Sequence, residues 1–149
     1  MAAGIMKKLR EYIPPAGNMI RNPVDAHLVF LKLSLLGRTL DLLSGESLVD
    51  MFIIALHLDW LSENGQGNRI EKVAHYLAGE ARKHTGHRPL VVVWRQFQPN
   101  PVIREARIKF EKILLEAGVP VYEGLPRAFL VLSKLAEYHQ FRRLIKKSG

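Results

Sequence analysis

Apolar residues arrive along this chain in blocks whose period switches between continuous and helical, and that alternation predicts stacked strand–helix units. The run from Met51 to Leu58 is almost uninterrupted apolar, and so is Leu90-Val91-Val92-Val93-Trp94. Runs this short and this apolar suit strands covered on both faces, as in parallel sheets. Between them Ile70, Val73, Ala74, Leu77 and Ala81 keep helical spacing, and beyond the second run Ile103, Ala106, Phe110, Ile113, Leu114 and Ala117 keep it again. A third strand is predicted over Val119 to Tyr122. A last helix is predicted from about Leu125 to Ile145, with Leu125, Ala128, Phe129, Leu132, Leu135 and Ala136 facing inward. Upstream, Phe30 to Leu43 reads as a helix ending near Gly45, and residues 1–20 as a helical lead-in stopped by Pro14-Pro15 and Gly17.

The punctuation between blocks agrees with this partition. Asn68 is placed as an N-cap with Glu71 completing a capping box, and Gly86 as a left-handed stop. Asn100-Pro101 opens the next helix as N-cap and first residue, and Gly118 closes it. Pro23 pushes Asn22 into the extended region, so Asn22-Pro23-Val24-Asp25 reads as an extended stretch. Crossovers of this length join strands in parallel and with right-handed sense. The expected fold is therefore a single α/β domain over residues 1–149: a three-layer, flavodoxin-like parallel sheet, incomplete at about three to four strands, with helices on both faces. Ligands of such sheets bind beyond the carboxyl ends of the strands. That makes the segments Asp59–Gly67, Arg95–Asn100 and Glu123–Gly124 the functional edge.

Composition narrows the chemistry. With no cysteine, disulfides, thiolate catalysis and cysteine metal sites are excluded. The start of the chain holds no apolar stretch long enough for a signal peptide, and the apolar runs are too short or interrupted to span a bilayer; a cytoplasmic protein without a membrane partner is expected. The net charge is +8, from 22 Lys and Arg against 14 Asp and Glu. Its basic residues alternate with core positions on helices, the pattern of a solvated helix face, and are not interleaved with exposed aromatics as in single-strand binders; this argues against nucleic acid.

The ordered phrases at both ends of the chain resemble one family, the nucleoside-diphosphate-forming acyl-CoA synthetases related to succinyl-CoA synthetase. Their last, flavodoxin-like ligase domain carries an Asn-Pro-Val-Asp phrase, matched by Asn22 to Asp25, and an Ala-Gly-Ile/Val-Pro-Val-Tyr/Phe phrase, matched by Ala117 to Tyr122. Pro126-Arg127-Ala128 and Leu135-Ala136-Glu137-Tyr138 stand where the family has its closing helix. The resemblance runs from about Tyr12 to Arg143. It implies a domain that helps form the site where a phosphohistidine from a partner domain drives acyl-CoA formation. It also implies no activity alone and no cofactor held by this chain alone, with ATP, Mg and coenzyme A belonging to the full enzyme. The implied partners are CoA-binding, phosphohistidine-bearing and ATP-grasp domains or subunits. It further implies a phosphate-facing helix start at Gly65, Gly67, Asn68 and Arg69, and a motif loop at Asn22, Pro23 and Asp25. The family's opening strand, Gly-rich turn and helix have no counterpart upstream of Pro14, which implies a partial domain: a fragment, a split subunit or a degenerate homologue.

Other chemistry is weaker. Lys83-His84-Thr85-Gly86 is similar to the phrase bearing the family's phosphohistidine, but its position closing a helix predicts a C-terminal cap. His57, in an apolar strand with Asp59 close by, reads first as a packed, hydrogen-bonded histidine and second as a general base. No histidine pair has metal-ligand spacing backed by carboxylates, and no catalytic residue is assigned. The alternative function is a non-catalytic interaction module of the same descent. It would pair through the apolar edge of Met51–Leu58 with a partner chain or, as a homodimer, with itself.

Overall fold

The two apolar runs become parallel neighbours. In the computed structural model, β3 (Phe52–His57) pairs in parallel with β4 (Leu90–Arg95), which pairs in parallel with β5 (Val121–Glu123), giving the order β3-β4-β5. They are preceded by helix α1 (Ala3–Arg10), a small antiparallel ribbon of β1 (Met19–Ile20) and β2 (Val24–Asp25), a 3-10 turn at His27–Phe30, and helix α2 (Leu33–Ser44). Helices α3 (Leu58–Asn64) and α4 (Arg69–His84) link β3 to β4. Helix α5 (Pro101–Glu116) links β4 to β5, and α6 (Leu125–Ser148) follows. The structure describes the chain apart from residues 1–2, 16, 48, 65–67, 85–88 and 149, and its side chains apart also from those of 84 and 146–148.

The core lies on one face of the sheet. Register sets Phe52, Ile54 and Leu56 beside Leu90, Val92 and Trp94, and alternation points all of them to the same side. There they join Ile70, Val73 and Leu77 of α4 and Ile103, Phe110 and Leu114 of α5 in a single apolar cluster that also takes in Leu9 and Leu40. Right-handed crossovers put α4 and α5 on one side, and the two helices pack against each other. The opposite face carries Ile53, Ala55, His57, Val91, Val93 and Tyr122. Val91 and Val93 are buried outside the main cluster, while Ala55 and His57 are exposed. The α/β class with a parallel sheet is thus present, with three strands in the described residues.

Local signals acted as their chemistry dictates. Asn100 Oδ1 accepts from the Val102 and Ile103 amides at 2.9 and 3.3 Å, with Pro101 at the first helical position. At the other end Gly118 takes φ 73°, where a side chain would strain. Gly118 N–H then donates to Leu115 O and Val119 N–H to Leu114 O, each at 2.9 Å, and Val119 turns into the core. Asn100→Ala is expected to cost about 1 kcal/mol by removing the cap. A lowered urea midpoint at unchanged slope checks it.

Four expectations shift. The loop over Asp59–Gly67 is helix α3 up to Asn64, because Leu58 and Leu61, one turn apart, are both fully buried. The third strand begins at Val121, since Val119 is spent closing α5. The Asn22–Asp25 stretch leaves the main sheet, and Val24 and Asp25 pair with Met19 and Ile20. In α6 the expected inward face fails past its first turns: Ala128 is buried and Leu132 half-buried, but Phe129, Leu135 and Ala136 are exposed. Apolar residues occur all round this helix, so periodicity does not choose a face.

Candidate functional site

The carboxyl ends of the strands form a rim built by short, fixed connections. β3 passes into α3 without a loop, which puts Asp59 in the first helical turn, where a carboxylate complements the unpaired amides. From there the Asp59 carboxylate reaches the segment after β4, accepting from Phe97 N–H at 2.8 Å and, at a longer 3.5 Å, from Gln98 N–H. Gln96 Nε2 donates to Gln98 O at 2.8 Å, and the Asn100 cap fixes the far end. The ring of Phe97, 58% exposed, is held between two cationic or ionisable groups. Arg95 lies over it at 4.8 Å from the centroid, and His57 meets it edge-on at 4.9 Å. At β5, Gly124 N–H donates to Trp94 O at 2.9 Å, with Gly124 at φ 74°. Below the rim Arg107 covers the buried Trp94 ring at 4.8 Å.

Asp59→Ala is expected to cost about 1 kcal/mol. It should speed hydrogen exchange at the Phe97 amide about fivefold, since about 1.4 kcal/mol corresponds to tenfold. Amide exchange followed by NMR checks this.

Of the residues expected to face phosphate, Gly65 and Gly67 lie outside the described residues. Asn68 is exposed immediately before α4, and its carbonyl accepts from Lys72 N–H at 3.1 Å. Arg69, the first residue of α4, is half-buried. Its Nη2 donates to Leu31 O at 2.6 Å, so part of this guanidinium holds the 3-10 turn against the helix start. Its Nε is buried and has no hydrogen-bond partner among the described residues. Glu71, expected to complete the capping box, accepts instead from Lys109 Nζ of α5 at 3.1 Å.

The motif residues Asn22, Pro23 and Asp25 are exposed on the ribbon, with a cis peptide between Asn22 and Pro23. The chain that follows them reaches the rim: the His27 and Trp60 rings meet edge-on at 5.3 Å, and Leu31 receives Arg69. The segment that follows the motif loop is thus joined to the expected phosphate-facing helix start through Leu31 and Arg69.

His57 is exposed at the rim, not packed in the core as first expected. Alternation turns it to the open face, where the ring finds Phe97. Arg95 and Phe97 were missed as functional candidates. Their signal was an aromatic two residues after a strand-ending arginine in a segment already marked as rim, but a loop phenylalanine carries no directional sign in sequence. α4 runs to His84, and the stop expected at Gly86 lies outside the described residues. Among the described residues no group of three side chains is arranged to hold a metal ion, and no helix is long and apolar enough to cross a membrane. Comparison with models of known protein families, with curated proteins and with solved structures found no match.

Proposed function

We propose that this chain is the ligase-type domain, or most of it, of an acyl-CoA synthetase that forms a nucleoside diphosphate. In this reading the domain is flavodoxin-like and cytoplasmic, and it completes, with partner domains, the site where a phosphohistidine drives acyl-CoA formation. ATP, Mg and coenzyme A are handled by those partners. The observation that carries the reading is that the segment following the motif loop meets the expected phosphate-facing helix start, Leu31 O accepting from Arg69 Nη2, while His27 of the same segment meets Trp60 just beyond the carboxyl end of β3. Parallel strand ends beside a helix start suit an anionic reactant, because unpaired amides and the helix dipole both favour negative charge there. The exposed Arg95 adds a cation on the same rim.

The test is reconstitution. A CoA ligase of this class with its own last domain deleted, supplied with an acid, CoA and ATP, should regain acyl-CoA synthesis when the chain is added. The chain alone should give none. Turnover by the lone chain, or no gain on adding it, overturns the reading.

A second reading, a non-catalytic module pairing through its strand edge, has one observation in its favour. β3 is bonded on one side by β4, and no second strand pairs with it among the described residues, while Ala55 and His57 lie exposed beside that edge. Light scattering that gives a dilute monomer counts against the homodimer form of it.

A further inference from the structure

Helix α6 presents the largest collection of exposed apolar side chains in the described molecule, and their arrangement says what covers it. Phe129, Leu130 and Val131 are consecutive and all exposed. At 3.6 residues per turn, three consecutive positions span more than half of the circumference. Further on, Leu135, Tyr138 and Phe141 are exposed as well, Phe141 at 60%. A flat lipid surface takes up one stripe of a helix, whereas a helix apolar on several sides is satisfied when protein surrounds it. Soluble proteins rarely leave a contiguous patch of this kind uncovered.

Charge then selects the chemistry of the cover. α6 carries Arg127, Lys134, Arg142, Arg143, Lys146 and Lys147, against the single acid Glu137. That acid is already taken by Lys134 Nζ at 2.8 Å. A second copy of this chain, itself at +8, would bring like charges together along the helix. We propose that α6 is a docking helix for a protein partner that closes around it with an apolar groove rimmed by carboxylates. This surface stands apart from the ligase reading, because peptide binding tests the one and acyl-CoA synthesis tests the other.

The experiment uses the full chain and two labelled helical-hairpin peptides with the same leucine groove, one rimmed with glutamate and one with lysine. Anisotropy at about 0.15 M salt should show the glutamate peptide binding at least about tenfold more tightly, and the gap should narrow as salt rises. Arg142→Glu with Arg143→Glu should reverse the preference. Phe141→Ser should weaken both peptides about tenfold, as expected for an apolar anchor. The charge-swap variant alters exposed residues and keeps the test valid if Phe141→Ser lowers helix content. Equal affinity for the two peptides, or none for either, overturns the proposal. So does tighter sedimentation with phosphatidylserine–phosphatidylcholine vesicles than with either peptide, or a dimer in light scattering that Phe141→Ser dissolves.

Discussion

Phe110→Ala is expected to be the most damaging single change, costing about 3–5 kcal/mol. Phe110 is fully buried and is among the largest side chains wholly withdrawn from solvent. It projects from the middle of α5 into the cluster shared with Leu77, Val92 and Trp94. Truncation removes the transfer free energy of the ring and leaves a cavity that a parallel sheet on one side and two packed helices on the other cannot collapse. Since a domain of this size is stable by about 5–15 kcal/mol, the variant sits near the edge of folding. Ile108→Ala, two residues earlier but 53% exposed, should stay within about 0.5 kcal/mol of the parent. Urea melts of the two variants separate burial from helix propensity. A Phe110→Ala midpoint no lower than that of Ile108→Ala contradicts the assigned core face of α5.

Gly37→Ala should come second, with a net loss of about 1–2 kcal/mol. Gly37 faces α4, and a Cβ built there would collide with the Tyr76 hydroxyl and lie 3.3 Å from its ring and 3.2 Å from Glu80 Oε1. Neither neighbour yields easily. Tyr76 is hydrogen-bonded to Glu80, and its phenol is pushed above its ordinary pKa first by burial and then by the charge of Glu80 and that hydrogen bond. Glu80 is itself buried and lies 3.9 Å from Lys83, whose Nζ donates to Asp41 of α2 at 2.5 Å. Overpacking of this kind costs about 1–3 kcal/mol. Replacing glycine by alanine inside a helix returns up to about 1 kcal/mol, so the clash wins. In a Tyr76→Phe background the nearest obstructing atom is gone, and the same substitution should cost clearly less. Gly79→Ala is the control: its Cβ meets nothing within 4 Å, and it should stabilise by up to about 1 kcal/mol. Equal costs for Gly37→Ala in both backgrounds would remove the contact as the cause.

The pattern of apolar positions reached far into this fold. The strands at Phe52–His57 and Leu90–Arg95, the inward faces of α4 and α5, and the Asn100 and Gly118 boundaries were all legible in sequence. Each rests on a local cause: periodicity, a cap that hydrogen-bonds its own helix, or a backbone angle that only glycine tolerates. The rim was legible only as a location. Nothing local shows that Asp59 reaches across to the Phe97 amide, that Arg69 spends a donor on Leu31, or that His57 turns outward to meet Phe97.

What the order of residues determined by itself is therefore the parallel α/β character and the helix faces that bury against the sheet, because each follows from spacing along a single element. What tertiary structure alone decided is which groups meet across elements. It sent Val24 and Asp25 to a separate ribbon, extended α3 through a stretch that reads as loop, and left α6 mostly exposed apart from Ala128 and the half-buried Leu125 and Leu132. Those outcomes depend on competition between distant partners for the same surface, and no window along the chain contains both competitors.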